Sequence, residues 1–355
     1  MLDPGPGSVM RVLFDIVHPA HVHFYRHMIS ELQQRGDDVL VVAREREVTT
    51  DLLDQFGIEY TVVKRPGMGG RAGQALELGR RDWGLFRLGR TFRPDLVLSR
   101  NPAGMHAARA LGATGVFDTD DGSVVGLHFR LAAPFAKVIT TPACLGEDYG
   151  AKHRRYNGYK ALAYLHPDVF SPDPAIRSEL GIGEDEPYFL VRYVAMTAAH
   201  DHGETGLAFD ARSDLVDYLA EYGTVFVSAE SGLPAGMRAH ALPTPPHKMH
   251  DVMAGARLYV GDSQTMAAEA ALLGIPSFRA STWTRRLDYL DELEDRYGLL
   301  RSYRPAEADQ LRAAVAHELQ DPDGSRNERR AQMLADSVNV TDWYVDLMDE
   351  LVAGR

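Results

Sequence analysis

The sequence predicts two α/β domains, each built on a doubly wound parallel sheet. In the first half of the chain, short runs rich in β-branched residues alternate with helical segments, and the alternation resumes after Pro187. Alternation of this kind is typical of parallel sheets that are covered on both faces. A length of 355 residues suits two such domains. The clearest strand-like runs are RVLFDIV (11–17), DDVLVVAR (37–44), DLVLSR (95–100), YFLVRYV (188–194) and TVFVSAE (224–230).

Residues 11–145 are expected to hold about six β/α units. The first strand stops at His18-Pro19, and the helix that follows ends at Gly36, a residue type favoured just after a helix. The next predicted elements are a helix at 49–57, a strand at 58–65, a helix tail at 85–94, a strand at 95–100, a helix at 103–112, and strands at 114–121 and 137–142. This is enough for one complete open-sheet domain.

A polar segment rich in proline and glycine, 171–187, marks the boundary to the second half. We therefore expect an N-terminal Rossmann-like domain over 10–168 and a C-terminal one over 169–335. A C-terminal helix at 336–355 is free to pack back on the first domain. Within the second half, the sequence predicts helices at 213–223, 250–256, 263–274, 305–319 and 325–352, and strands at 188–194, 224–230, 257–262 and 275–280.

Composition excludes several classes of protein. The formal net charge of −12 opposes binding to nucleic acid or to anionic lipid. No run of 18 apolar residues is present, and MLDPGPGSVM lacks the features of a secretory signal, so we expect a cytoplasmic protein. The lone cysteine, Cys144, excludes a disulfide within the chain and is expected to be an inert thiol.

The most informative segment is LYVGDSQTMAAEAALLGIPSF, residues 258–278. A buried strand runs into a polar turn and a helix, and Ser263, Gln264 and Thr265 stand at the helix start. Backbone N–H groups there favour an anion, and Ser263 or Thr265 can cap the helix. Glu269 lies one helical turn later and could accept hydrogen bonds from ribose hydroxyls. The alternatives are a capped helix without a ligand and a glutamate on a solvated face.

This segment resembles the phosphate-and-ribose motif of GT-B glycosyltransferases and of UDP-N-acetylglucosamine 2-epimerases. The resemblance implies that Ser263, Gln264 and Thr265 meet a nucleotide diphosphate and that Glu269 holds the ribose. This sequence has Gln264 where relatives often have glycine, which bears on how closely the backbone approaches the phosphates.

Histidines cluster after the first strand, in HPAHVHFYRH: His18, His21, His23 and His27. Ligands of doubly wound sheets bind beyond the carboxyl ends of strands, so this turn is a candidate site. His21 is the candidate base or sugar contact, with His18 and His23 as neighbours in the cleft, and its spacing to Gly36 resembles that in the glycosyltransferase that makes lipid II. A divalent-metal site and ordinary polar turn residues are the alternatives, and Asp15 is expected to be a structural hydrogen-bond partner.

Three further segments supply candidate cleft residues, with a packed linker as the alternative for the segment 157–167. FDTDDGS ends a strand and carries Asp118, Asp120 and Asp121, which could act in acid–base chemistry or hold a metal. Arg100 and Asn101 end another strand, and NGYKALAYLHP adds Tyr159, Lys160 and His166. We expect these residues to line a cleft that holds substrate, with Asp120 and Asp121 as catalytic candidates.

Four segments, 14–36, 95–122, 157–167 and 258–278, together resemble a family of archaeal and bacterial proteins known only as a domain of unknown function and expected to share the GT-B architecture. That resemblance implies two Rossmann-like domains that face each other across a cleft. The resemblance to GT-B proteins also implies that Arg192 contacts the diphosphate and that His247 and Met249 contact the base. An ordinary charge at the end of a strand is the alternative for Arg192.

The predicted function is transfer of a sugar from a nucleotide-diphosphate donor, UDP-linked in our expectation, to a hydroxyl acceptor. Neither a metal nor another cofactor is expected, since helix N–H groups and Arg192 can stabilise the leaving diphosphate. The alternatives are a nucleotide-sugar 2-epimerase, with carboxylates from 118–121, and a non-catalytic nucleotide-sugar-binding protein.

Overall fold

A computed structural model describes residues 9–354 apart from 46, 64–69, 194–205, 230 and 231. Contacts divide the chain into two compact units. The first unit runs to Val169 and resumes at Val338, and the second spans Phe170–Ser337. Within the described residues, no helix is both long and apolar enough to cross a lipid bilayer.

The first unit contains a parallel sheet of seven strands in the described part of the chain. The strands are β1 (Arg11–Ile16), β2 (Asp38–Arg44), β3 (Thr61–Val63), β4 (Leu96–Ser99), β5 (Thr114–Asp118), β6 (Val138–Pro142) and β7 (His153–Tyr156). Their order is β3-β2-β1-β4-β5-β6-β7. The chain moves outward from β1 to β3 and then returns to β4 beside β1. The gap between β1 and β4 is therefore the switch point at which doubly wound sheets bind ligands.

Helices flank this sheet. They are α1 (Pro19–Arg35), α2 (Glu47–Gln55), α3 (Gly70–Phe92), α4 (Pro102–Leu111), α5 (Leu127–Ala132) and α6 (Leu162–Leu165). α1 begins at Pro19, because proline suits the first position of a helix and His18 caps it. The helix ends before Gly36, whose φ of 87° is the left-handed conformation that glycine adopts without strain.

The second unit contains a parallel sheet of five strands among its described residues. The strands are β8 (Tyr188–Tyr193), β9 (Thr224–Ala229), β10 (Leu258–Gly261), β11 (Ser277–Ala280) and β12 (Leu300–Tyr303), in the order β12-β11-β10-β8-β9. The helices are α7 (Ile176–Glu179), α8 (Phe209–Ala220), α9 (Met249–Ala254), α10 (Gln264–Leu272), α11 (Asp288–Asp295), α12 (Ala308–Gln320) and α13 (Arg326–Ala335). Here the switch point lies between β8 and β10.

The predicted helix over 325–352 is wrong as a single element. The chain forms α13 and then a separate helix, α14 (Val340–Ala353), because Asn339 stops the run and caps α14 by accepting a hydrogen bond from the Thr341 N–H at 3.0 Å. α14 belongs to the first unit and packs on α1 and α6. Its Thr341 hydroxyl donates to the Ala163 carbonyl at 2.8 Å.

Candidate functional site

The second unit presents a capped helix start at the carboxyl end of β10. β10 ends at Gly261, and the Ser263 hydroxyl accepts a hydrogen bond from the Met266 N–H at 3.3 Å. Of the two predicted capping residues, Ser263 is therefore the cap, and Thr265 lies half-buried in the first turn together with Gln264. This turn follows the switch-point strand β10, so its unpaired N–H groups stand where a ligand anion is expected.

Glu269 is buried in the middle of α10. Its side chain is 4% exposed, and its Oε1 atom lies 3.2 Å from Nε2 of His250 on α9, which is equally buried. The alternative of a glutamate on a solvated face is therefore wrong. A buried carboxylate has room for several hydrogen bonds, since each of its two oxygens accepts two. A carboxylate held by an imidazole in this way can still receive a pair of hydroxyl groups.

The residues predicted to contact the base lie just before this pair. His247 belongs to a 3₁₀ turn over Pro246–Lys248, and Met249 begins α9; both are half-buried. The residue of this stretch that reaches Glu269 is His250, which the sequence analysis did not select. The spacing could have identified it, because a helix that begins at Met249 turns His250 inward together with Val252 and Met253, which are also buried.

A cation lies beside the end of β10. Arg192 on β8 is the register partner of Gly261, and its Nη1 donates to the Ser228 hydroxyl at 2.6 Å. Next to it, the buried Asp262 carboxylate pairs with the Arg212 guanidinium at 3.1 Å. The second unit therefore brings Arg192 and the capped turn to the same switch point.

In the first unit, four predicted residues join in one charged cluster at the ends of β4 and β5. The Arg100 guanidinium forms ion pairs with Asp118 and with Asp120, and Lys160 Nζ lies 2.6 Å from Asp120 Oδ2. The arginine and the two aspartates are nearly or fully buried. Burial makes these charges mutually dependent, because removal of one would leave another without its partner.

The two neighbouring carboxylates of this cluster differ in acidity. Burial alone would raise the pKa of Asp120, but the cations of Arg100 and Lys160 hold that pKa below its usual range. Burial raises the pKa of Asp121 to about 6, and the negative charge of Asp120 adds to the effect. A pair of carboxyl groups whose pKa values are driven apart is the usual arrangement for acid–base chemistry near neutral pH.

His18 and His21 stand at the end of β1, on the other side of the same switch point. His18 Nδ1 accepts a hydrogen bond from the Ala20 N–H at 3.2 Å and caps α1. His21 is 9% exposed, and burial lowers its pKa well below 6.5, with Arg100 and His18 acting in the same direction. Its imidazole is therefore neutral at pH 7. A neutral imidazole can accept or donate a hydrogen bond at this position.

The remaining histidines of the run do not join them. His23 lies between the rings of Phe56 and Tyr164, at centroid distances of 5.7 and 5.6 Å. His27 accepts a hydrogen bond from Arg26, and burial lowers its pKa to about 4. His23 thus packs against aromatic rings and lies apart from the pair His18 and His21, since neighbouring helical positions face different directions. Among the described residues, no three His, Cys, Asp or Glu side chains group as metal ligands do.

Other predicted cleft residues have structural partners. Asn101 caps α4 by accepting a hydrogen bond from the Ala103 N–H at 3.0 Å. Tyr159 is buried, and His166 lies 3.2 Å from Asp168.

The expected structural role of Asp15 is confirmed. This buried carboxylate pairs with Arg81 and accepts a hydrogen bond from the Ser99 hydroxyl at 2.7 Å.

One contributor to the cluster comes from far along the chain. The Tyr344 hydroxyl on α14 donates to Asp118 Oδ1 at 2.7 Å and lies 2.7 Å from Thr140 Oγ1. Burial raises the pKa of Asp118, while the neighbouring Arg100 opposes that rise. Asp118 is thus held by Arg100 and by Tyr344 and is the fixed end of the cluster. No pattern in the sequence indicated Tyr344.

A family model described as "Protein of unknown function (DUF354)" matches residues 10–293. The chain belongs to the DUF354 family. No curated protein matches its sequence.

The DUF354 chain is similar in fold to several solved structures. UDP-GlcNAc 2-epimerase from Neisseria meningitidis, bound to UDP-GlcNAc, is 14% identical with a TM-score of 0.69, covering 98% of this chain and 100% of that one. Spinosyn forosaminyltransferase is 18% identical with a TM-score of 0.68 and the same coverages. MurG of Acinetobacter baumannii is 15% identical with a TM-score of 0.59, covering 96% and 99%. This DUF354 protein therefore has two parallel-sheet α/β domains of the GT-B type, as predicted.

Proposed function

We propose that this protein binds a nucleotide-diphosphate sugar at the start of α10 and transfers the sugar to a hydroxyl acceptor. The observation that carries the proposal is the buried Glu269, one turn after a Ser263-capped helix start and fixed by His250. Burial of a carboxylate costs free energy, and the contact with His250 offsets part of that cost. A carboxylate at this position could also accept the two hydroxyls of a ribose.

The anion-binding groups fit a diphosphate. The N–H groups of the first turn of α10 and the nearby Arg192 would hold the phosphate oxygens by hydrogen bonds and charge. The same groups would stabilise the negative charge that grows on the diphosphate as its bond to the sugar breaks. The structural neighbours that carry UDP-GlcNAc or act as glycosyltransferases are consistent with this class of ligand.

His21 was the expected base, but an imidazole with a pKa well below 6.5 is a weak one. Asp121 fits better, since a pKa of about 6 leaves it ionised at pH 7 yet more basic than an ordinary carboxylate. We propose Asp121 as the base and His21 as a hydrogen-bonding residue, with Asp120 and Lys160 as the charged neighbours of Asp121.

A 2-epimerase is the second candidate, favoured by the same acidic cluster. Epimerisation moves a proton at a carbon of the sugar and calls for more than one acid–base group near it. Asp120 and Asp121, with divergent pKa values, meet that need. Product analysis separates the two: epimerisation changes the sugar with the donor alone, whereas transfer releases the nucleoside diphosphate only when a hydroxyl acceptor is present. Donor binding without either reaction would leave the non-catalytic alternative.

The binding test compares two nucleotides on the natural protein and on a variant of Glu269. Calorimetric titration with UDP and with 2′-deoxy-UDP should show weaker binding of the deoxy nucleotide to the natural protein. Glu269→Gln should weaken UDP binding on the order of 10- to 100-fold, because hydrogen bonds to a charged acceptor contribute about 1.5–3 kcal/mol. It should also erase the difference between the two nucleotides. Glu221→Gln, at an exposed position after α8, is the matched control. If Glu269→Gln binds both nucleotides as the natural protein does, the proposal fails.

A further inference from the structure

Arg279 on β11 is a buried cation whose side chain finds no partner in the described structure. It is 0% exposed, and its Nε, Nη1 and Nη2 atoms all lack a hydrogen-bond acceptor among the described residues. Asp291 and Glu294 on α11 are its charged neighbours, but neither forms an ion pair with it. Enclosing a guanidinium in this way is costly, so its retention calls for a compensating role.

The parallel register places Arg279 level with Gly261, the last residue of β10 before the proposed nucleotide site. Gly261 on β10 pairs with Arg192 on one side and with Arg279 on the other. Ser277, two residues before Arg279 and therefore on the same face, donates a hydrogen bond to the Ala267 carbonyl of α10 at 2.8 Å. Arg279 thus lies on the face that α10 covers, one strand from the turn where α10 begins.

Gly261 lies between the two arginines and has no room for a side chain. A Cβ atom there would lie 2.6 Å from the Arg192 carbonyl oxygen and 2.5 Å from the Tyr259 hydroxyl. The hydroxyl of Tyr259 therefore occupies the position over Gly261. It is buried, has no hydrogen-bond partner among the described residues, and interacts electrostatically with both Arg192 and Arg279. The register thus places two arginines on either side of Gly261, where β10 ends, with the Tyr259 hydroxyl over that glycine.

We propose that Arg279 is a further anion-recognition residue of this site, supplying buried positive charge to the diphosphate beside Arg192. The proposal rests on the proposed function and adds a residue to it. Charges enclosed in protein interact far more strongly than charges in water, so Arg279 contributes without reaching the solvent. The effect must then grow with the charge of the ligand, and an uncharged nucleoside must be insensitive to it.

The test is a charge series, UDP, UMP and uridine, titrated against variants. Arg279→Met should weaken UDP on the order of 10- to 100-fold, weaken UMP less, and leave uridine unchanged; Arg279→Lys should keep most of the discrimination. Arg301→Met, an exposed arginine on the adjacent strand β12, is the control and should change none of the three. Equal losses for UDP and uridine would reveal a purely structural role and overturn the inference.

A measurement on the natural protein covers the case in which Arg279→Met does not fold. The ¹⁵N resonance of Arg279 Nε, assigned by its loss in Arg279→Lys, should shift on saturation with UDP and stay in place with uridine. A resonance that UDP does not move would refute the role of Arg279. Failure of the natural protein to bind either nucleotide would instead remove the proposed function, and the inference with it.

Discussion

Replacing Asp121 by asparagine should make this protein more stable and less active. The pKa of Asp121 is about 6 in the folded protein against a usual 3.8, a difference that corresponds to about 3 kcal/mol. A raised carboxyl pKa means that the folded state binds the proton more tightly than the unfolded state. The stabilisation is therefore greatest below the usual pKa and is lost as the pH rises to about 6. At pH 7 the ionised side chain destabilises the fold, and asparagine removes that cost.

The effect on activity has the opposite sign. If Asp121 takes the proton from the acceptor hydroxyl, kcat/KM of the natural protein should rise with pH through an apparent pKa of about 6. Asparagine cannot accept that proton. The variant should lose about 100- to 10,000-fold in kcat/KM and should lose the acidic limb of the profile as well. Greater stability with lower activity is the usual trade at a strained active site.

The assays are urea unfolding and a pH–rate profile. Unfolding at about pH 7.5 should show Asp121→Asn to be more stable by up to about 3 kcal/mol, and at about pH 4 the gain should nearly vanish. Asp214→Asn, at an exposed position on α8, should show no such dependence on pH. The reasoning is refuted if the two pH values give the same change in the free energy of unfolding. It is also refuted if Asp121→Asn retains full activity.

Two further substitutions test the buried supports of the first unit, each by urea unfolding. Tyr344→Phe removes the hydroxyl that donates to Asp118 at 2.7 Å and should cost about 1–3 kcal/mol, because the buried carboxylate loses a partner; a change below about 0.5 kcal/mol would contradict this. Asp15→Ala leaves the buried Arg81 cation without its carboxylate and should cost about 3–5 kcal/mol. A loss under about 1 kcal/mol would show that Arg81 finds another partner.

The fold was predictable from the central strands because these are buried on both faces. β1, β4 and β10 read as continuous apolar runs, and such runs identify strands of parallel sheets. The strands that the analysis missed, β7 and β12, lie at the edges of their sheets. Their sequences, HRRY and LRSY, are polar because an edge strand keeps part of its surface in water. Periodicity therefore carries little signal there.

In the candidate sites, residues with a local sequence spacing were predictable, and partners distant in sequence were not. Glu269 was predictable because helix geometry places it one turn after Thr265, and Ser263 was predictable as a cap because its residue type suits the position before a helix. The sequence placed Arg100, Asp118 and Asp120 near the ends of strands, but it did not predict that they form ion pairs. The partners that fix the carboxylates, His250 and Tyr344, were not predictable, since one lies 19 and the other 226 residues from its carboxylate. Only the folded chain brings such residues together.

The return of the chain to its first unit has a consequence for synthesis on the ribosome. The first unit is made early, but the helix that supplies Tyr344 and contacts α1 and α6 is translated after the whole second unit. Until then the nascent first unit exposes the apolar surface that α14 will cover, and Asp118 lacks the hydrogen bond from the Tyr344 hydroxyl. Domains commonly mature in the order in which they emerge. In this protein the first unit can complete its fold only after the second unit and α14 have been synthesised.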